Sequence, residues 1–198
     1  FSGYIDMATG IALLFNIRLP QNFNSPYKAT SIINFWQRWH MTLTHFLTNY
    51  IYFPWARSLK NLNFFNTMIV TFFVFVIAGF WHGPSWLYVI FGSLHGVGLI
   101  INHVFRKLFS FEINTIIKCF LTFNYVNLTF VFFRAENIHV SVNIIKGMFG
   151  FNGFDLPNFL NFKVDVILIL LLSVVVTFIF KNTNYLMENF NLSNNKKK

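Results

Sequence analysis

Two apolar runs leave this chain few ways to fold. They are "FFNTMIVTFFVFVIAGFW", residues 64–81, and "WLYVIFGSLHGVGLIINHVF", residues 86–105. Each is close to the ~20 mostly apolar residues that a helix needs to cross the hydrocarbon layer of a bilayer. Comparable runs occupy roughly 116–133 and 164–180, and residues 1–17, "FSGYIDMATGIALLFNI", read as the end of a fifth. Composition points the same way. The chain is 55% hydrophobic and 11% charged, against about 25% charged in a soluble domain. The expectation is an all-α, polytopic integral membrane protein with about four to five transmembrane helices plus an amphipathic interfacial helix. Residues 1–185 form its membrane-embedded domain, and residues 186–198, ending "NNKKK", are expected to be a disordered cytoplasmic tail. The chain opens on Phe1 with no secretory signal pattern. It is therefore expected to be the C-terminal part of a longer chain whose N-terminal spans are missing.

The net charge of +9 would suggest nucleic acid in a soluble protein. Here the basic residues flank apolar runs instead of interleaving with exposed aromatics, so membrane topology accounts for them and no nucleic-acid partner is expected. With residues 18–63 in the cytoplasm and the spans alternating, twelve Lys and Arg fall on the cytoplasmic side and three, Arg134, Lys146 and Lys163, outside. The positive-inside rule favours that orientation. A lone Cys119 excludes an internal disulfide and reads as a small core residue.

Residues 31–52, "SIINFWQRWHMTLTHFLTNYIY", place Ile32, Trp36, Trp39, Leu43, Leu47 and Tyr50 at helical spacing. Asn34, Arg38, Thr42, His45 and Asn49 mark the other side, as in an amphipathic helix at the interface or wedged under the spans. The preceding "LPQNFNSPY" is a loop, and residues 138–150 are a second, weaker amphipathic stretch.

Polar, ionisable groups at membrane depth are costly and tend to mark sites. Of six histidines, His82 is the sharpest, because "FWHGP" sets it beside Gly83 and Pro84, which break the helix. Broken backbone at that depth needs protein or a water-filled cavity around it. A hydrogen-bonded histidine in a tight turn between two spans remains the plain alternative. His40 falls on the apolar stripe of the amphipathic helix, where a satisfied core histidine is the plain alternative. His95, among Gly92, Ser93, Gly96 and Gly98, suits close helix packing more than chemistry. His45 is expected in solvent, His103 at the interface, and His139 without special role. The sequence has no HExxH and no paired cysteines, and only six acidic residues. No metal site is expected.

The quoted N-terminal stretch through "NFNSPY", then "FWQRWHMTLTHFLTNYIYFP", "GFWHG" and "GSLHG", resembles the membrane-bound O-acyltransferases, in the bacterial branch that modifies alginate and peptidoglycan. "FVFFRAENIHVSVNIIKGMFG" (131–150) is similar to the alginate-type members, and the resemblance runs from about residue 1 to 150. Where those members continue "YIPLGG", this chain has "YFPWARS" (52–58). The resemblance implies that His40, in the "RWH" helix, and His82, in "WHG", are catalytic, set at a tunnel between a cytoplasmic donor and an extracytoplasmic acceptor. It implies transfer of an acyl group, acetyl above all, from acyl-CoA to hydroxyls of an envelope polysaccharide, directly or through a periplasmic or extracellular partner acetyltransferase. It also implies a bacterial inner-membrane location and no bound cofactor. His82 would take the proton of the acceptor hydroxyl, a role that suits neutral imidazole with its reference pKa of ~6.5. His40 would orient the donor or stabilise the oxyanion. Arg18, Lys28, Arg38 and Arg57 could attract the donor's phosphates, although flanking charge alone explains them. A transporter or proton-relay subunit with a histidine-lined path is the alternative function. The absence of a second "WHGP"-like break counts against it. A membrane anchor for soluble partners is a third.

Overall fold

The structure is a computed structural model, and it describes residues 1–153 and 164–187. Three helices are long and apolar enough to span a membrane: α5 (Phe64–Trp81), α6 (Trp86–Leu108) and α7 (Thr115–Arg134). Before them come α1 (Ser2–Leu14), α2 (Ile32–Trp36), α3 (Met41–Leu47) and α4 (Phe53–Ser58). After them come α8 (Ile138–Met148) and α9 (Val164–Ile179). The described residues form no strand. The three spans lie within a few residues of the runs read from the sequence. The fourth run forms an apolar helix of 16 residues, and the expected end of a fifth is α1, with 13 residues and none buried. The expected C-terminal tail lies almost wholly outside the described residues.

Each span begins where the sequence supplies a cap. The side chains of Asn63, Ser85 and Asn114 accept from the backbone N–H groups of Asn66, Leu87 and Ile116, which answers donors that a helix start leaves without partners. α5 and α6 are antiparallel and touch backbone to backbone. A Cβ on Gly79 would collide with the Tyr88 carbonyl oxygen, and one on Gly92 with that of Phe75. Two glycines facing each other bring the helix axes together. The outward faces of α5 to α7 carry exposed Phe65, Phe73, Val97 and Phe120, as lipid contact requires.

The 31–58 segment departs from expectation. It is not one helix at the interface but a hairpin that enters the bundle. On the first limb, Ile32, Phe35 and Trp36 pack with Phe75 of α5, Leu99 of α6 and Val126 of α7. On the second, Leu47 packs with Val70, Val74 and Ala78, bordered by Trp55 and Leu59. Successive contacts show how deep the hairpin goes. Ile33 N–H reaches Asn102 Oδ1 near the end of α6, Trp36 meets His95 at mid-helix, and His40 meets Trp81 at the end of α5. His40 is the tip. It therefore shares a level with His82, whereas the topology read from charge put residues 18–63 beyond the opposite end of the span. The period-3.6 pattern of residues 31–52 belongs to both limbs. What it conceals is the reversal at His40, whose backbone is left-handed (φ 45°, ψ 51°). That conformation is uncommon outside glycine and concentrates at functional sites.

Candidate active site

At the end of α5 the chain turns through His82, Gly83, Pro84 and Ser85 into α6. Gly83 has φ 151°, a region that L side chains rarely adopt. A Cβ there would also crowd the Tyr88 ring, at 3.0 Å. Proline and glycine thus end the helix as the sequence indicated, and His82 stands at the break. Its imidazole is half-buried among rings: Trp81 and Phe133 lie at 5.0 Å, Phe91 at 6.0 Å and Tyr88 at 6.2 Å between centroids. Among the described residues no group hydrogen-bonds to it. A turn histidine tied to a carbonyl, the plain alternative, is not what the structure shows.

His40 faces the same place from the hairpin tip. Its ring contacts Trp81 at 6.3 Å, Phe1 at 5.1 Å and Phe23 at 6.4 Å. His40 Nδ1 lies 3.2 Å from Asn22 Oδ1. That oxygen also accepts from Thr42 N–H at 3.2 Å and from Thr42 Oγ1 at 2.9 Å. Two backbone bonds, Met41 N–H to Asn22 O and Asn24 N–H to Arg38 O, fasten the loop to the tip. Burial, and then the neighbouring His82, hold His40 below the ordinary histidine range, so it is neutral near pH 7. The two histidines are 42 residues apart in sequence, yet each ring meets Trp81.

His95 is not in this pair. It is fully buried, and its ring is stacked on Phe35 at 6.0 Å. Trp36 Nε1–H donates to its Nδ1 at 3.2 Å. Indole nitrogen only donates, so the proton of His95 must sit on Nε2. That N–H donates to Thr129 Oγ1 at 2.9 Å, whose hydroxyl donates to Val126 O at 2.7 Å. Every side-chain polar atom in this Trp36–His95–Thr129 relay is satisfied. His95 therefore does more than pack: it ties the first limb of the hairpin to α6 and α7. Among the other histidines, His45 is exposed and pairs with Asn49, and His139 is exposed beside Asn143. Cys119 is only half-buried, its thiol near Tyr27 O.

At the other end of the spans a cavity of about 1010 Å³ opens between the hairpin, α6 and α7. Its walls include Ile101, Phe105 and Leu121, and three cations line it: Arg38, Arg106 and Lys118. None of the three pairs with a described carboxylate. Of the four cations singled out from the sequence, only Arg38 is here. Lys28 donates to Phe180 O at 2.8 Å, Arg57 lies over the Phe53 ring, and Arg18 is exposed away from the cavity. Arg106 and Lys118 were passed over because each sits in the end turn of a span, where flanking charge is ordinary. Asn22 and Thr129 were also missed, since no spacing rule links them to the histidines they touch, and so was Thr42, which anchors Asn22. Among the described residues no cluster of His, Cys, Asp and Glu could hold a metal ion.

The sequence profile described as the membrane-bound O-acyltransferase family matches residues 1–142. Those residues include the hairpin, the break at His82 and the start of α8. The chain is 41% identical to the peptidoglycan O-acetyltransferase of Helicobacter pylori, over 95% of its own length and 40% of the relative's. It is 36% identical to the "Probable alginate O-acetylase AlgI" of Pseudomonas putida, over 79% of this chain and 32% of that protein. It is 31% identical to the teichoic acid D-alanyltransferase of Bacillus subtilis, over 70% and 38%. The chain thus spans two-fifths or less of the length of these relatives. Its apolar helices, its paired histidines and a profile match over most of its residues agree: this chain belongs to the membrane-bound O-acyltransferase family.

Proposed function

We propose that this chain carries the reaction centre of a membrane enzyme that moves an acyl group, acetyl above all, from a thioester to hydroxyls of a cell-envelope polysaccharide. The observation that carries the reading is the convergence of His40 and His82, from two different elements, at one break in a spanning helix. His82 is the general base. Among the described residues its ring nitrogens have no partner, and burial lowers its pKa and keeps it neutral. As the hydroxyl attacks the thioester carbonyl, the O–H bond breaks and its proton passes to imidazole. The electrons of the departing C–S bond leave with the thiolate. His40 holds a substrate group beside the reacting atoms. The aromatic wall of Trp81, Tyr88, Phe91 and Phe133 keeps bulk water from competing as the nucleophile.

The donor is an acyl-CoA that enters from the cytoplasmic side, with the cavity at the basic end receiving its phosphates. The basic end then faces the cytoplasm of a bacterial inner membrane, and a partner enzyme outside can take the acyl group onward. Arg106 and Lys118 give this part its own test. In the full-length protein, Arg106→Gln with Lys118→Gln should raise KM for acetyl-CoA about tenfold, the loss of roughly 1.4 kcal/mol of charge-assisted binding, with kcat changed little. An unchanged KM places the donor elsewhere. The reading as a whole is tested with purified full-length protein, labelled acetyl-CoA and an isolated envelope polysaccharide, in detergent without any gradient. Label on the polymer is the expected result. A protein that moves substrate only across a sealed, energised membrane is the transporter instead.

A further inference from the structure

The hydrogen bonds at the hairpin tip decide which nitrogen of His40 carries the proton. The side-chain atom of Asn22 that faces Thr42 takes that residue's backbone N–H at 3.2 Å. A backbone N–H only donates, so the Asn22 atom is the amide oxygen and not the NH2 group. The same oxygen is 3.2 Å from His40 Nδ1. An oxygen without a proton can only accept, so His40 Nδ1 must be the donor. In neutral imidazole one nitrogen donates and the other accepts. His40 Nε2 is therefore the bare one, and among the described residues it has no partner.

We propose that Asn22 is a positioning residue that fixes His40 as the Nδ1–H tautomer, so that His40 acts on its substrate as a hydrogen-bond acceptor through Nε2. This rests on the reading of His40 as part of the reaction centre, and it reverses one expectation drawn from the family resemblance. A bare Nε2 cannot donate to a thioester oxyanion. It can hold an O–H or N–H of a substrate: the sugar hydroxyl that will attack, or an amide N–H on the arm of the donor. Asn22 is suited to the task because it is itself held. It is buried at 6% exposure, its carbonyl oxygen accepts from Met41 N–H at 3.0 Å, and its side-chain oxygen is anchored by both donors of Thr42. The left-handed backbone of His40 turns the imidazole back onto this loop. Without that reversal, residues 36–44 would continue as helix and carry the ring away from Asn22.

The protonation state follows from the same contacts. His82 is the other titratable group facing His40. Phe1, Phe23 and Trp81 contribute rings, and Arg38 directs its guanidinium to Asn34 Oδ1 and Asn24 O. Burial and His82 lower the pKa of His40, so Nε2 remains bare at neutral pH and takes a proton only as the pH falls through that lowered value. Replacing Asn22 with Asp keeps the shape and the acceptor but adds a negative charge against Nδ1–H. An adjacent opposite charge favours the imidazolium and raises the pKa by about one unit or more.

Two measurements on the full-length protein test this. The first is the ¹⁵N spectrum of histidine-labelled protein, with the His40 signals identified by their loss in His40→Ala. The expected result is a protonated Nδ1 and a bare Nε2; a protonated Nε2 overturns the proposal whatever the activity. The second is the pH profile of acyl transfer by Asn22→Asp. Its acid limb should move up by about one pH unit, with the rate at high pH within a few-fold of wild type. A uniform loss at every pH, with the limb unmoved, makes Asn22 only a structural residue and overturns its positioning role. His40→Ala separates the two readings. If that variant keeps full activity, His40 is no part of the reaction centre, while the spectrum still reports whether Asn22 sets its tautomer.

Discussion

Replacing His82 with alanine in the full-length protein is expected to lower acyl transfer about 10²- to 10⁴-fold, the range in which a positioned general base contributes. Membrane insertion and thermal stability should change little. The imidazole makes no hydrogen bond to the described residues, so its removal leaves no buried donor or acceptor without a partner. The backbone break does not depend on it either, because Gly83 and Pro84 set the turn and Ser85 caps α6. A rate assay on purified protein, paired with a melting curve, reads both sides of this expectation. Activity within a few-fold of wild type would remove His82 from the base role.

His95→Ala should do the reverse and act through stability. The substitution empties a fully buried site and leaves Trp36 Nε1–H without its acceptor. Truncating a large buried side chain costs about 2–5 kcal/mol, and a stranded buried donor about 1–3 kcal/mol. Inside a bilayer such hydrogen bonds are worth less, with ~0.6 kcal/mol an average measured between helices, so most of the loss comes from the cavity. A destabilisation of about 3 kcal/mol is expected, seen as earlier unfolding in detergent. His95→Gln, which offers an acceptor and a donor in the same site, should recover part of it. The hairpin limb that Trp36 anchors ends at His40, so activity should fall too, but in step with the loss of folded protein. A stable His95→Ala protein with normal unfolding would show that the Trp36–His95–Thr129 chain does not hold the hairpin.

The spans were legible because hydropathy and length are local properties, and Phe64–Trp81, Trp86–Leu108 and Thr115–Arg134 differ from the apolar runs by a few residues at most. The break at His82 was legible for the same reason, since glycine and proline act on their own backbone. The hairpin was not. Ile32, Trp36, Leu43 and Leu47 keep helical spacing across the turn because both limbs bury a face, one against Phe75, Leu99 and Val126 and the other against Val70 and Val74. Periodicity reports that a face is buried, not that the chain reverses between two buried faces. Nor does a His at position 40 announce a left-handed residue, as a glycine would. The pairing of His40 with His82 entered from the family resemblance; what the structure adds is that both rings meet Trp81. Asn22 and Thr129 lie 18 and 34 residues from the rings they touch, and Thr42 lies 20 residues from the Asn22 oxygen it anchors. Such distances carry no spacing rule.

The central claim is that His40 and His82 form one reaction centre. Gradient-free transfer from labelled acetyl-CoA, measured for wild type, His40→Ala, His82→Ala and the double variant of the full-length protein, tests it most directly. Residues that act as a unit are strongly non-additive. The double variant should therefore be about as slow as the slower single one. A double variant whose loss is the product of the two single losses would mean that the histidines act independently, and would contradict the account.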